Sequence, residues 1–172
     1  MSKDANLENA DKEQAPAVAV RPANQRGAAR LAAVQALYQM DIARTSLKAT
    51  LDDFSAHLLG KEVEGEQYLP ADADFFQQIV KGVVANQLFI DPLIDASLTS
   101  DWPVTRIDST LRAVLRAGAF ELTKRSDIPA KVIISEYLDV ARAFYDGDVP
   151  GLVNGVLDTI ARKVQADLSA TD

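Results

Sequence analysis

Apolar residues recur at helical spacing along most of the chain. In the segment from Ile107 to Leu122 they fall three and four positions apart, which places them on one face of a helix. Thr105 and Asp108, just upstream, have the spacing of a capping box, which marks the start of a helix. Lys124 suits the negative end of the helix dipole and marks its end. The pattern predicts a central helix whose apolar face belongs to the core.

Three helices are predicted before this central one, the second and third from their capping residues and the first from its helix-forming composition. They are a first helix from Asn24 to Arg44, a second helix capped by Ser46, and a third helix opened by Asp72. Asp91 and Pro92 interrupt the third helix, because proline is unfavourable inside a helix and suits a first helical position. A short further helix from Pro92 to Leu98, or a kinked continuation, is therefore expected.

Two helices are predicted after Pro129. The run from Val132 to Ile134 has the β-branched residues of a strand, but apolar residues continue at helical spacing to Phe144 and no partner strand is predicted elsewhere. The last helix contains Gly155, and glycine inside a helix costs about 1 kcal/mol relative to alanine. We therefore expect another backbone to pack closely against Gly155. The sequence predicts an all-α fold with about seven helices.

The 172 residues are enough for one domain with a substantial core. Residues 1–23 have almost no large apolar side chains, so we expect a disordered tail there, a helical domain over 24–166, and a disordered end over 167–172. The chain has no cysteine, no apolar run of membrane-spanning length, and no signal-peptide core. These features predict a cytoplasmic protein that does not associate with a membrane.

The net charge of −7 hides a segregation of charge along the chain. Residues 21–44 and 102–131 each carry a net charge of +3, whereas residues 50–101 carry −8 and residues 132–172 carry −4. A polyanion responds to the local field, so the two basic segments can form one basic surface if the fold brings them together. The alternative is that both segments are only solvated faces of helices.

Little in the sequence indicates catalysis. The single histidine, His57, lies among leucines on a predicted amphipathic helix, where a boundary residue is a better interpretation than a general base. Gly60 and Lys61 lack the remaining residues of a phosphate-binding loop. The carboxylates of residues 62–74 do not form a metal-ligand pattern with histidine. We predict no enzyme activity, no metal site and no cofactor.

Two pairs of arginines carry the candidate binding chemistry. Arg26 and Arg30 lie in the first turns of a helix, where a cation opposes the positive end of the dipole and is poorly placed for stability alone. They are suited to bind a ligand; the alternative is that Arg30 pairs with an acid elsewhere in the fold. Arg112 and Arg116 lie four apart beside the apolar face of the central helix. We expect that flank to face water or a partner.

Two passages resemble a known family of bacterial proteins. Residues 26–38 resemble the N-terminal helix of the NusB family of transcription antitermination factors. Residues 107–122, followed by 125–129 and 152–158, resemble a second part of that family. Single positions that fit as well are Phe76, Gly82, Trp102, Val132 and Glu136. The resemblance extends over nearly all of residues 24–160.

The resemblance implies an all-helical, NusB-like fold of two small packed bundles with a non-enzymatic role. Family members pair with the ribosomal protein NusE, and the pair binds the boxA element of rRNA leader transcripts and helps RNA polymerase to read through terminators. The free protein is expected to be a monomer or a weak homodimer. The alternative function is a helical protein-protein adaptor with little RNA binding of its own.

The resemblance and the residue chemistry together give two sets of candidate site residues. Gly27 and Ala28 stand where relatives often have further basic residues, which weakens the expected RNA contact unless Arg21 or Lys131 contributes. Guanidinium groups and aromatic rings suit single-stranded RNA. The RNA-binding candidates are Arg26, Arg30, Tyr38 and Arg116. The partner-binding candidates are Leu111, Arg112, Asp148 and Leu152, with Tyr38 beside them.

Overall fold

The structure, a computed structural model, describes residues 22–57, 72–99 and 102–171. These ranges contain six α-helices and no strand, which confirms the prediction of an all-α fold with about seven helices. The helices are α1 (Pro22–Ala43), α2 (Leu47–His57), α3 (Ala73–Ser97), α4 (Ser109–Lys124), α5 (Ala130–Phe144) and α6 (Val149–Ser169). Helices α1, α2 and α3 contact one another, as do α4, α5 and α6. The predicted two small bundles are therefore present.

Helix α4 lies at the centre of the fold, as its apolar pattern predicted. It contacts α1, α3, α5 and α6, and Val114 and Leu115 in its middle are fully buried. Its N-cap is Asp108, whose Oδ2 accepts a hydrogen bond from the Leu111 amide at 3.3 Å. The predicted capping box is wrong, because Thr105 lies in the turn before the helix. Helix α4 is thus the element that positions residues of both bundles.

Helix α3 continues through the predicted break at Asp91 and Pro92. Proline has no N–H to donate to the carbonyl of Leu88, one turn earlier. The Leu88 side chain is 95% exposed, so this part of the helix faces solvent and water can satisfy the free carbonyl. Of the two predicted alternatives, the continuation is therefore the one present, and Pro92–Ser97 form the last part of α3.

Two glycines allow helices to pack closely, but neither is the predicted one. A Cβ atom on Gly118 would lie 2.9 Å from the side chain of Leu157, and a Cβ atom on Gly82 would overlap the ring of Phe120. Gly155 has no neighbouring atom within 4 Å of such a Cβ atom. The expectation of close packing at Gly155 is wrong, since this glycine lies on the exposed side of α6.

The first and last helices extend beyond the predicted limits of the helical domain, residues 24–166, and these limits stay a prediction. Helix α1 begins at Pro22, and α6 continues to Ser169. Most of the predicted N-terminal tail, and the acidic stretch after His57, lie outside the described residues. No helix in the described ranges has the length and apolarity needed to cross a membrane.

Candidate nucleic-acid and partner interfaces

Arg30 lies in the core and is paired with Glu121. Its Nε and Nη2 atoms donate to the two carboxylate oxygens of Glu121, each at 2.9 Å, and only 3% of Arg30 is exposed. The hydroxyl of Tyr137 donates to the same carboxylate, and Glu136 lies 3.6 Å from Arg30 Nη1. The predicted RNA contact of Arg30 is therefore corrected, because the guanidinium is buried and its hydrogen bonds are used inside the fold. The alternative predicted for Arg30, an ion pair with an acid elsewhere in the fold, is the arrangement that the structure shows.

The environment of this ion pair changes the pKa of two of its members. Burial raises the pKa of Tyr137 well above its ordinary value, and the charge of Glu121 raises it further. Burial lowers the pKa of Arg30, but the hydrogen bond and charge of Glu121 outweigh burial, so that the net shift is upward. Arg30 is thus charged and Tyr137 neutral at physiological pH, which is the combination that satisfies the Glu121 carboxylate.

A second group of cations surrounds the ring of Phe75 at the start of α3. The guanidinium carbons of Arg26, Arg30 and Arg125 lie 4.7, 4.9 and 5.2 Å from the centroid of this ring. Phe75 itself is buried, with 2% of its surface exposed. Cations within about 6 Å of an aromatic face are attracted to it. Phe75 therefore holds together arginines from both basic segments of the sequence.

Arg26 and Arg125 differ in their partners. Arg125 donates from Nε and Nη2 to Asp127 at 2.9 and 3.0 Å, and from Nη1 to Gln78 at 2.5 Å. The hydrogen bond from Arg125 lowers the pKa of Asp127, so this carboxylate is ionised. Arg26 forms no ion pair among the described residues. Lys131 is exposed and lies at the start of α5, six residues after Arg125 in the chain. We call Arg26, Arg125 and Lys131 the cationic end.

Two other predicted contacts, Arg116 and Arg112, are tied to acids on neighbouring helices. Arg116 donates two hydrogen bonds to Asp91 at 2.9 and 2.8 Å, and Arg112 donates two to Asp41 at 3.0 and 2.6 Å. Arg112 also donates to the carbonyl of Val104 at 2.9 Å. Each arginine side chain is 13% exposed. The expected open flank of α4 is therefore corrected, since these arginines join α4 to α1 and α3.

Contacts at the N-terminal end of α4, the end opposite to Arg125, bring four helix ends together. The Arg112–Asp41 pair joins the start of α4 to the end of α1. The hydroxyl of Tyr145, the C-cap of α5, donates to Asp108, the N-cap of α4. Helix α6 begins only four residues after Tyr145, at Val149. The ends of α1 and α5 and the starts of α4 and α6 therefore form one end of the molecule.

This end exposes several large apolar side chains on different helices. They are Tyr38 (40% exposed) and Ile42 (59%) on α1, Phe144 (39%) on α5, and Leu152 (43%) on α6. Asp148, the N-cap of α6, is also exposed and makes no side-chain capping bond. We call these five residues the apolar end. Large apolar side chains exposed at one end of a monomer, when they form a contiguous patch, are typical of a protein-binding surface.

The structure changes the predicted partner-binding set at this end. Leu111 is only 7% exposed, so its predicted contact with a partner is corrected: it packs in the core. Asp148 and Leu152 are exposed, as a contact residue must be. Ile42 and Phe144 were not predicted to be exposed, because helical spacing identifies a core face but does not show where a helix projects beyond its neighbours.

Tyr38 was predicted to take part in both RNA binding and partner binding. Its position on α1 is far from that of Arg26. It lies twelve residues after Arg26 on α1, about 18 Å along the helix axis at 1.5 Å per residue. Tyr38 therefore lies in the part of α1 that contains Asp41, the partner of Arg112 at the start of α4, whereas Arg26 lies at the opposite end of α1. Among the described residues, no group of histidine, cysteine, aspartate or glutamate side chains is arranged to hold a metal ion.

These features define a class of small all-helical proteins with a cationic surface at one end and an apolar surface at the other. The NusB family model matches residues 27–162. The transcription antitermination protein NusB of Bradyrhizobium sp. (strain BTAi1) is 60% identical over 147 residues, which are 86% of this chain and 87% of the relative. The chain therefore belongs to the NusB family.

Solved structures agree with this assignment. NusB of T. maritima is 29% identical and superimposes with a TM-score of 0.67, over 80% of this chain and 91% of that protein. A chain from a solved complex of the antitermination factors NusB and NusE with double-stranded RNA is 23% identical, with a TM-score of 0.66 over 81% of this chain and 97% of that one. The second likeness is in the fold alone.

Proposed function

We propose that this protein is a transcription antitermination factor that pairs with the ribosomal protein NusE, binds boxA RNA of rRNA leader transcripts, and promotes read-through by RNA polymerase. The role is non-enzymatic and cytoplasmic. The observation that carries the proposal is the separation of a cationic end from an apolar end on a NusB-family fold. A relative that is 60% identical is named a transcription antitermination protein, and a structural neighbour was solved with NusE and double-stranded RNA.

The cationic end is the proposed RNA-binding surface. Arg26 is the leading candidate because its guanidinium lies over Phe75 and makes no ion pair among the described residues, although its charge contributes to the lowered pKa of Asp127. A guanidinium that is oriented but makes no direct ion pair can bind a phosphate or stack on an unpaired base. Lys131 adds an exposed cation nearby. Arg26 of the basic segment 21–44 and Arg125 of the basic segment 102–131 meet here over one ring, on a protein of net charge −7.

The apolar end is the proposed NusE-binding surface. Tyr38, Ile42, Phe144 and Leu152 offer apolar side chains from three helices, and a central apolar patch with a charged edge is the usual composition of a protein interface. Asp148 supplies the charged edge and can pair with a cation of a basic ribosomal protein. Arg112 supports this end indirectly through its bonds to Asp41 and Val104.

One observation favours the alternative of a protein adaptor with little RNA binding. Arg30, Arg112 and Arg116 are all engaged in ion pairs inside the fold, so only Arg26 of the four predicted arginines remains without one. Gly27 and Ala28 add no charge beside it. RNA affinity of the free protein is therefore expected to be low, and NusE is expected to increase it.

Fluorescence anisotropy tests the proposal. A labelled boxA RNA and a scrambled RNA of the same composition are titrated with the protein, with and without NusE, at two salt concentrations. We expect selective boxA binding that NusE strengthens and that salt weakens, since phosphate contacts release counterions. Equal or absent binding to both RNAs with NusE present would instead support the protein adaptor.

A further inference from the structure

Arg125 binds Asp127 in the geometry that a guanidinium uses for a phosphate. Two parallel hydrogen bonds, from Nε to Oδ1 at 2.9 Å and from Nη2 to Oδ2 at 3.0 Å, join the two groups. A planar guanidinium binds carboxylate and phosphate oxygens in the same bidentate way. The carboxylate of Asp127 therefore lies where two phosphate oxygens would fit.

The Arg125–Asp127 pair lies close to Arg26. The guanidinium carbons of Arg26 and Arg125 lie 4.7 and 5.2 Å from the centroid of the same ring, that of Phe75. A polyanionic strand held at Arg26 therefore passes close to Arg125. The Nη1 bond to Gln78 and the contact with Phe75 fix the Arg125 guanidinium independently of Asp127. Arg125 would keep its place if Asp127 moved away.

Asp127 is free to leave this pair. Its side chain is 62% exposed, while that of Arg125 is 19% exposed. Ion pairs with an exposed partner contribute little stability, because water and salt compete for both charges. The turn that contains Asp127 has its own backbone hydrogen bond, from the Ile128 amide to the Arg125 carbonyl at 3.2 Å. Loss of the carboxylate contact therefore does not require the turn to unfold.

We propose that Arg125 is a second phosphate-binding residue of the RNA surface, and that Asp127 is an intramolecular anion that occupies it in the free protein and is displaced by an RNA phosphate. This inference rests on the proposed RNA-binding function. It accounts for a low intrinsic RNA affinity, because binding at Arg125 must first replace an existing partner.

The test compares four variants in the presence of NusE, with boxA RNA as the probe. Asp127→Asn removes the competing charge, Arg125→Gln removes the proposed phosphate ligand, and a double variant combines both changes. The matched control is Asp139→Asn, which removes an aspartate that is 70% exposed and pairs with Arg142 on α5. Both asparagine substitutions change the net charge by the same amount. Urea unfolding of each variant shows whether the fold is retained.

We expect Asp127→Asn to strengthen boxA binding about two- to fivefold, the range that corresponds to loss of a weak surface ion pair. The slope of log affinity against log salt should steepen by up to about 0.7, the value for one further phosphate contact on a single strand. Arg125→Gln should weaken binding, and the double variant should bind like Arg125→Gln alone. Asp139→Asn should leave the affinity unchanged.

Three results would overturn the inference. The first is an unchanged or reduced affinity of Asp127→Asn, which would show a structural turn contact only. The second is the same gain from Asp127→Asn with and without Arg125, and the third is an equal gain from Asp139→Asn; both would show a general charge effect. If the parent protein does not prefer boxA over scrambled RNA, the proposed function itself fails, so the two failures are distinguishable.

Discussion

Arg30 and Glu121 form a buried, bidentate ion pair across 91 positions of sequence, with both hydrogen bonds at 2.9 Å. The pair joins α1 of one bundle to α4 of the other, and Tyr137 adds α5. Removing one member of a buried pair leaves the other charge without compensation. Arg30 therefore supports the fold from within the segment that was expected to bind RNA.

Arg30→Gln should lower the free energy of unfolding by about 3–5 kcal/mol, because it leaves the Glu121 carboxylate buried without its cation. Urea unfolding followed by circular dichroism measures this loss. Arg162→Gln is the matched control: Arg162 is 81% exposed and pairs with Asp158 one turn away, so the change should cost less than about 1 kcal/mol. Equal effects of the two substitutions would show that the Arg30 pair is not structural.

Gly82→Ala should destabilise the protein by about 1–3 kcal/mol, the usual cost of overpacking a core. The added methyl group would overlap the ring of Phe120, which is itself buried. Gly155→Ala adds the same group where no atom lies within 4 Å, and should stabilise α6 by up to about 1 kcal/mol. Thermal or urea unfolding of both variants tests the contrast. A stabilising Gly82→Ala would contradict the close packing of α3 on α4.

Leu152→Lys should weaken NusE binding at least about tenfold, because it places a charge in the apolar end of the molecule. Leu168→Lys makes the same exchange on the same helix, at a leucine that is 60% exposed and outside the apolar end, and should have no effect. Isothermal titration calorimetry with purified NusE measures both affinities. Unchanged binding of Leu152→Lys would move the partner interface elsewhere.

Stability at alkaline pH should depend on Tyr145. Burial and the hydrogen bond to Asp108 raise the pKa of Tyr145 to about 12. The folded state therefore favours the neutral phenol, and this contribution is complete below the unfolded pKa of about 10 and is lost as the pH rises towards 12. The Tyr145→Phe variant has no phenol at this position, so it has no group that ionises between pH 10 and pH 12.

Urea unfolding midpoints measured between pH 8 and pH 11.5 test this prediction. Between pH 10 and pH 11.5, Tyr145→Phe should lose less stability than the parent protein. Tyr38→Phe removes a phenol that is 40% exposed and should follow the parent curve. Parallel curves for Tyr145→Phe and the parent protein would show that Tyr145 makes no contribution to the alkaline loss.

The sequence predicted where the helices lie along the chain better than which residues of different helices contact one another. Helical spacing located α4, and local capping chemistry located the starts of α2 and α3, where Ser46 and Asp72 accept amide hydrogen bonds at 3.1 and 3.0 Å. The partner of Arg30 was not predictable, because Glu121 lies between Phe120 and Leu122 and has no local signal of its role. Pairs so distant in sequence depend on how helices pack.

The exposure of residues at helix ends was also not predictable from the hydrophobic pattern of the sequence. Phe144 continues the apolar face of α5, yet it is 39% exposed because α5 ends there. Spacing defines the face of a helix but not how far neighbouring helices cover it. The resemblance to the NusB family predicted Asp148 and Leu152 as contact residues, whereas the exposure of Ile42 and Phe144 required the three-dimensional structure.

RNA is proposed to bind at the cationic end, where Arg26 lies over Phe75 and makes no ion pair among the described residues. The most direct test is an anisotropy titration of labelled boxA RNA with preformed NusE complexes of Arg26→Gln and of Arg162→Gln. Both variants lose one positive charge, and Arg162 is an exposed arginine of α6 that pairs with Asp158. We predict about tenfold weaker boxA binding for Arg26→Gln alone, with unchanged unfolding and unchanged NusE affinity. Equal boxA affinities of the two complexes would contradict the account.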